Sequence, residues 1–339
     1  MPRSGVSRFG MARIARCGRV FAWAALAAFV AATPGYAQDY PTRPVKFVTG
    51  GGAGETADML AKVLAPRYSD ALATTVVVER QASATAATKV AARAKPDGYT
   101  VQLAGLGALV IAPALAKKPY DPMEKLAPVC QVVTMPNVLL INPSSPAGGL
   151  EDFITLAKRR PSTLTYAAAG SGMPGEIAGA MFNTVARVKM VPLRHKSGHA
   201  ALDDLSHGGV DLIIAAAPSA IPQVKAGKAR ALAITANKRI AALPDVPTAE
   251  EAGLAYQATD WYGLVVPAGT PQLIIDRLHK ETAMVVSAPQ TAATLATHGI
   301  DIAPTLPEQF SAYIKSETTR WRKVIAATRA RTDQRARKE

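Results

Sequence analysis

The chain is 339 residues long, 49% of them hydrophobic, with a formal net charge of +14. Such a length accommodates two medium domains or one large one, and the apolar fraction suffices for a real core. Cys17 and Cys130 are the only cysteines, which excludes a disulfide-stapled scaffold.

The first element in chain order is a leader. Arg3, Arg8, Arg13, Arg16 and Arg19 precede an apolar run over residues 20–33, and no acidic residue occurs before Asp39. Gly35 and Ala37 are small residues at the −3 and −1 positions of a cut after Ala37. This is the layout of a secretory signal peptide, and the run is too short for a hydrocarbon layer of about 30 Å. Residues 1–37 are expected to be removed on export to the periplasm; an uncleaved anchor is the alternative. No cysteine ends the run, so lipid anchoring has no support. Loss of the five leader arginines lowers the charge from +14 to +9. Cys130 then stands alone in the apolar run PVCQVVT, where a buried, inert thiol is expected.

The rest of the chain alternates β-branched runs with helical periodicity. Strands are expected at residues 45–49, 75–79, 100–104, 129–134, 138–142, 164–168, 190–193, 210–215, 230–235 and 261–267. Helices fit residues 57–72, 84–94, 150–158, 176–185, 200–206, 221–226, 271–287, 289–298 and 306–330. Strand and helix in alternation define an α/β protein with largely parallel sheets. Proline clusters at residues 143–146 and 244–247 mark two crossings between lobes. They give 38–140 as the first part of lobe 1, 141–247 as lobe 2, and 248–339 as the return segment with a C-terminal helix. The basic residues from Arg320 to Lys338 read as a solvated helix end; an exported chain without interleaved aromatics has no nucleic-acid partner.

The loop after the first strand carries Gly52, Ala53, Gly54, Glu55, Thr56 and Ala57, which fits the dinucleotide pattern G-x-G-x-x-G/A, and Glu79 ends the next strand. An NAD-dependent oxidoreductase is therefore a remote alternative. Export to a compartment poor in that cofactor opposes it, and no His or Lys has the context of a proton-transfer residue. What the loop offers is anion binding: glycines let backbone approach, and a helix start presents bare N–H groups. Ala169, Gly170, Ser171 and Gly172 repeat the arrangement between a later strand and helix. A glycine turn for tight strand-to-helix packing is the alternative for that loop.

Longer strings carry a resemblance. They are YPTRPVKFV (40–48), KPDGYT (95–100), LTYAAAGSGMPGEIAGAMF (164–182), GGVDLIIAAAPSAIPQVKAGKARALAIT (208–235), LPDVPTAEEAGL (243–254) and WYGLVVPAGTP (261–271), in that order. The chain resembles the Bug family of periplasmic solute receptors of tripartite tricarboxylate transporters. The resemblance implies a type II periplasmic binding protein fold, two α/β lobes around a ligand cleft joined by a hinge. It implies capture of a small organic carboxylate without catalysis, cofactor or metal, by a monomer that serves large and small integral membrane permease subunits. A periplasmic sensor subunit on the same fold is the alternative. Carried over by position, the ligand segments are residues 50–58, 105–107, 170–172 and 194–198. Within them the candidate ligand residues are Gly52, Ala53, Gly54, Glu55, Thr56, Asp58, Gly105, Gly107, Gly170, Ser171, Gly172, His195 and Lys196.

The chain also departs from the family. Gly50-Gly51-Gly52 replaces a Pro-Phe-Pro-like stretch, Glu55 is unusual in its loop, and Glu176 stands where a His is frequent. Glu176 fits the third position of a helix opened by Pro174, where a carboxylate caps free N–H groups. Glu55 and Glu176 bring negative charge toward an anionic ligand unless that ligand also carries a cation or donor. Arg194, His195 and Lys196 are candidates to receive a second carboxylate, with solvated edge residues as the alternative. His195 lacks the partners of a metal site. Asp58 is expected to orient its loop by accepting backbone N–H bonds.

Overall fold

The computed structural model describes residues 40–116, 119–169 and 174–336, and every element below belongs to the unit Pro41–Glu339. The expected leader and Gly170, Ser171 and Gly172 lie outside the described residues.

Two sheets share one long strand. The first runs β2 (Val76–Gln81), β1 (Val45–Gly50), β3 (Thr100–Gly105), β9 (Thr259–Pro267) and β4 (Leu126–Ile141), with the short β10 (Asp301–Ile302) also on β4. In the second sheet β4 pairs with β7 (Leu212–Ala216) and β8 (Arg230–Ile234), and beyond β7 come β5 (Thr165–Ala169) and β6 (Val191–Leu193). Pairings within β1–β2–β3 and β5–β6–β7 are parallel, but those of β4 and β9 are antiparallel. The sheets are thus mixed rather than largely parallel, because β4 and β9 connect the lobes directly instead of returning through a crossover helix.

β4 replaces the two strands expected at 129–134 and 138–142. Pro136 has no N–H to give a ladder, so it reads as a break in the sequence. In the fold it is where β4 changes partners. Pro136 is the last residue paired with β9, opposite Thr259, and Asn137 is the first paired with β7, opposite Ala216. The chain passes between sheets at Pro136–Asn137 and returns at Ala258–Thr259, not at the proline clusters. Pro247 lies wholly on the second-sheet side, where its carbonyl accepts from Ile234 N at 2.8 Å.

Both crossings are tied to one hydroxyl. Thr235, fully buried at the end of β8, accepts from Asn137 N at 2.9 Å. Its Oγ1 also lies 3.0 Å from Asn137 O and 2.5 Å from Ala258 O. Asn137 Nδ2 donates to Ala258 O at 2.9 Å, and Thr235 N to Asn137 O at 2.9 Å. Three chain segments with broken ladders thereby satisfy their backbone groups at the hinge.

The second sheet is covered on both faces, so its strands read as continuous apolar runs with alternating destinations. Leu139, Ile141, Leu212 and Ile214 face α4 (Leu150–Arg159) and α5 (Pro174–Val185) through Phe153 and Phe182. Val138, Leu140, Ile213 and Ala215 face α6 (Gly198–Ser206) and α7 (Ala217–Lys225) through Leu202, Leu205 and Ile221. On the first sheet, Phe47 of β1 stacks on Tyr68 of α1 (Thr56–Leu72), ring centroids 4.9 Å apart. On its other side Trp261 meets Phe310 of the C-terminal helix edge-on at 5.5 Å. Cys130 in β4 is fully buried, and burial pushes its thiol up to about 12, so it is inert as expected.

Two helices differ from their expected extents. α7 begins at Ala217 rather than residue 221, because Pro218 is tolerated in the first turn and Pro222 inside the helix. Residues Gly107–Ile111 form a π-helical turn continuing into α3 (Ala112–Leu115), an element without a sequence signal. The remaining helices, α2 (Ala84–Arg93), α8 (Gln272–Ser287), α9 (Pro289–Thr297) and α10 (Pro307–Ala336), fall near their expected positions. Among the described residues no helix is long and apolar enough to cross a membrane.

Candidate functional site

A cavity of about 230 Å³ opens between the two sheets. That volume is below the roughly 300–1,000 Å³ of drug-sized pockets and suits a small molecule. Three helix N-termini meet there: Thr56 and Ala57 from α1, Gly198 and His199 from α6, and Ala217's neighbours Ala216, Pro218 and Ser219 from α7. Glu55 is the N-cap of α1, yet its side chain makes no cap hydrogen bond, and Ala216 caps α7 without one. Their first-turn amides are left for another acceptor, under the positive ends of the helix dipoles. At α6 the Ser197 hydroxyl accepts from Ala200 N, so only part of that turn is occupied.

The glycines divide by role. A Cβ on Gly50 would lie 2.4 Å from Ala84 Cα, so Gly50 exists to let α2 pack against β1. Gly54 has φ +80°, which disfavours any side chain, and a Cβ there would meet His199 Nε2 at 3.3 Å. Gly105 leaves room for the ring of Tyr262, its partner across β3 and β9.

Asp58 does not line the cavity. It is 4% exposed and accepts from Gly54 N at 2.8 Å, which fixes the loop above it. Lys62 lies 2.8 Å from Oδ2 and Arg80 3.5 Å from Oδ1. Burial is the largest single influence and raises the carboxyl pKa; the Gly54 amide, Lys62 and Arg80 together outweigh it and hold the pKa below its ordinary value.

The acidic residues at the cavity wall are Glu55 and Asp260. Burial first, then the nearby Glu317, push Asp260 up to about 6, although the Trp261 amide partly opposes this. Tyr262 beside it is held well above its ordinary value by burial, by Asp260 and by Glu55, and so stays protonated. Gln102 is 1% exposed in an otherwise apolar strand and lines the cavity. Its Nε2 donates to Thr88 Oγ1 at 2.9 Å, while Oε1 has no partner.

The structure therefore brings together Gly54, Glu55, Thr56, Gly105 and Gly107 of the expected ligand residues. Gly52 and Ala53, both exposed, and the buried Asp58 are not part of the lining. Neither His195 nor Lys196 lines the cavity. Asp204, on the next helix, draws the imidazole away, with His195 Nε2 2.9 Å from its Oδ2. Lys196 is exposed. The turn's far end, Gly198 and His199, lines the cleft instead. His199, Gln102, Asp260, Tyr262 and the start of α7 were not singled out from sequence. A lone Gln in the buried run TVQLAG, and Pro-Ser after the strand LIIAA, were the available signals. No cluster of His, Cys, Asp and Glu among the described residues has the make-up of a metal site.

Two mixed α/β lobes exchanging strands at a double crossing, with helix N-termini facing an intervening cleft, define a type II periplasmic solute-binding protein. The chain belongs to the Bug-type receptors: the family described as "Tripartite tricarboxylate transporter family receptor" matches residues 60–329. Protein BugT of Bordetella pertussis is 30% identical over 310 residues, 88% of this chain and 94% of BugT. Among solved structures, Rpa4515 of R. palustris with adipate is 29% identical, with a TM-score of 0.80 over 86% of this chain and 98% of that one. MatC from Rhodopseudomonas palustris with bound malate is 28% identical, TM-score 0.76, over 84% of this chain and 100% of that one. The dinucleotide pattern at residues 52–57 thus occurs in a chain of the receptor family, and Glu79 is held by Lys46 at 3.1 Å on the edge of the sheet.

Proposed function

We propose that this chain is a periplasmic receptor that captures a small organic carboxylate between its lobes and delivers it to a tripartite secondary transporter. The observation that carries this reading is the meeting of three helix N-termini on a cavity whose described lining includes no Lys or Arg. Backbone amides and dipole ends can hold a carboxylate without a side-chain counter-charge. The adipate and malate of the two related structures are carboxylates of the size this cavity admits.

Gly170, Ser171 and Gly172 supply further donors to the same anion in this reading. The lobes divide at the hinge, Pro136–Asn137 on the outward crossing and Ala258–Thr259 on the return. The leader is cut after Ala37, the mature receptor is a monomer without catalytic activity, and its protein partners are the large and small integral permease subunits.

A thermal-shift screen of the purified protein against mono- and dicarboxylates, aromatic acids and their amides tests the reading. A ligand at about 100 times its dissociation constant adds roughly 2.7 kcal/mol of stability. A screen in which amides stabilise as well as acids do would overturn carboxylate recognition.

A further inference from the structure

We propose that the basic C-terminal helix α10 is an attachment surface for an anionic phospholipid bilayer. The inference goes beyond the receptor reading, because it concerns a second surface and a second partner rather than the cleft.

The two parts of α10 (Pro307–Ala336) have different compositions. Phe310, Ile314, Trp321 and Ile325 are buried at helical spacing and hold the first part on the body, where Trp261 receives Phe310 and Tyr313. After Ile325 that stripe ends. The positions that continue it, 328 and 332, are Thr, and no apolar residue larger than Ala occurs between 326 and 336. The helix nevertheless runs on to Ala336, about three further turns with no large apolar side chain to bury.

Charge takes the place of that stripe. Residues 315–336 hold seven basic side chains against two acidic ones, Glu317 and Asp333. Glu317 is buried and accepts from Arg320 at 3.2 Å and from Trp321 at 3.0 Å, so it lies beneath the outer bases. Lys315, Arg322 and Lys323 are exposed and in no ion pair among the described residues. A helix dipole favours bases only in its last turn, and these begin about six turns before the end. Arg331 and Arg335 lie beyond residue 329, where the family match stops, and so are additions of this chain.

Five of the seven bases are Arg, whose planar fork pairs with two phosphate oxygens at once. A stable protein partner requires apolar anchors at its centre, and residues 326–336 have none. A bilayer of anionic headgroups requires only charge, and a helix without large apolar residues lies on the headgroups instead of inserting. Nucleic acid offers the same phosphates, but the leader sends this chain out of the cell's interior, and residues 322–336 have no aromatic ring for a base to stack on.

The test is sedimentation of the chain from Gln38, which holds every element of the fold, with phospholipid vesicles. The leader is left off because its own arginines and apolar run would bind lipid. Vesicles of phosphatidylcholine with about one-third phosphatidylglycerol are expected to bind it at least about 10-fold more tightly than phosphatidylcholine alone, with the difference lost in about 1 M salt. Each base held at such a surface strengthens attachment about fivefold, so Arg329→Gln, Arg331→Gln and Arg335→Gln together should weaken it about 100-fold. Removing the same charge elsewhere, by Lys158→Gln, Lys225→Gln and Lys228→Gln on the second lobe, should leave at least half of that affinity. Equal binding to both vesicles overturns the proposal even if no variant folds. Equal losses in the two triple variants overturn it in favour of net charge, and tighter binding to a single-stranded oligonucleotide than to the anionic vesicles overturns it in favour of nucleic acid. None of these outcomes bears on carboxylate binding, which the thermal-shift screen reads separately.

Discussion

Gly54 and His199 face each other across the cleft, so close that a methyl group on Gly54 would lie 3.3 Å from His199 Nε2. One belongs to the loop before α1 in the first lobe and the other to the N-terminus of α6 in the second. Gly54 also sits at φ +80°, and its N–H is already committed to Asp58. The contact thus depends on a residue with no side chain, in a conformation other residues resist, held by a buried carboxylate.

Gly54→Ala should weaken ligand binding by about 10-fold or more, with a stability loss of only about 1–2 kcal/mol from the left-handed backbone. His199→Ala in the same chain should recover part of the affinity but none of the stability. Titration and urea unfolding separate the two effects. Equal affinity in both variants would show that the lobes do not close on this contact.

Thr235→Val keeps the shape of the side chain and removes the hydroxyl that ties Asn137 to Ala258. The Asn137 and Ala258 backbone groups would lose a buried partner, at a cost of about 1–3 kcal/mol. Urea denaturation measures that loss. If the knot also sets the hinge, the variant's scattering profile without ligand should change, whereas Val substituted for the exposed Thr297 should leave both unchanged.

Asp260 carries a sign opposite to that of most acids. Its folded pKa of about 6 lies above the ordinary 3.8, so the fold binds this proton more tightly than the unfolded chain. The stabilisation is whole below about pH 4 and is lost as pH rises through about 6. Asp260→Asn should therefore stabilise the empty receptor at pH 7–8, by on the order of 1–3 kcal/mol, and change little at pH 4. The groups acting on Asp260 are Glu317 of α10 and the phenols of Tyr262 and Tyr313, with Glu55 beyond Tyr262. Glu317 is itself engaged by Trp321 and Arg320. Melting curves over about pH 4 to 8 check the sign.

Asp58→Asn should retain an acceptor for Gly54 N but lose the attraction of Lys62 and Arg80. Because its folded pKa is lowered, Asp58 stabilises the native state above about pH 4, and that contribution disappears in acid. The variant should be less stable than wild type by about 1–2 kcal/mol at pH 7 and approach it as pH falls through the lowered folded pKa, as followed by thermal melting. Parallel melting curves that never converge would place the loss in packing instead.

Much of the fold was legible because its signals are local. Residues 45–50 alternate into a strand, the glycine loop ends it, and the helix that follows carries apolar residues at i, i+3 and i+4. Pairing between distant strands leaves no such trace. Pro136 looked like a boundary between two strands, whereas it is where one strand changes sheets. The proline clusters after Ile141 and before Thr248 are turns inside the second lobe. The first-lobe half of the cavity wall was legible, since Gly54, Glu55, Thr56, Gly105 and Gly107 follow strand ends, where open sheets form their crevices. That His195 pairs with Asp204 rather than lining the cavity was not legible, because nothing in the order Arg194-His195-Lys196 reveals it. Asp260 and Gln102 escaped notice for a related reason: a polar residue in an apolar strand gives its position but not the wall it faces.

A crystal structure of the protein with its tightest-binding small carboxylate tests the central claim most directly. The expected density places the carboxylate oxygens within hydrogen-bonding distance of backbone N–H groups at the starts of α1, α6 or α7, between closed lobes. A ligand held by a Lys or Arg side chain, or bound outside the cleft lined by Gly54 and His199, would contradict it.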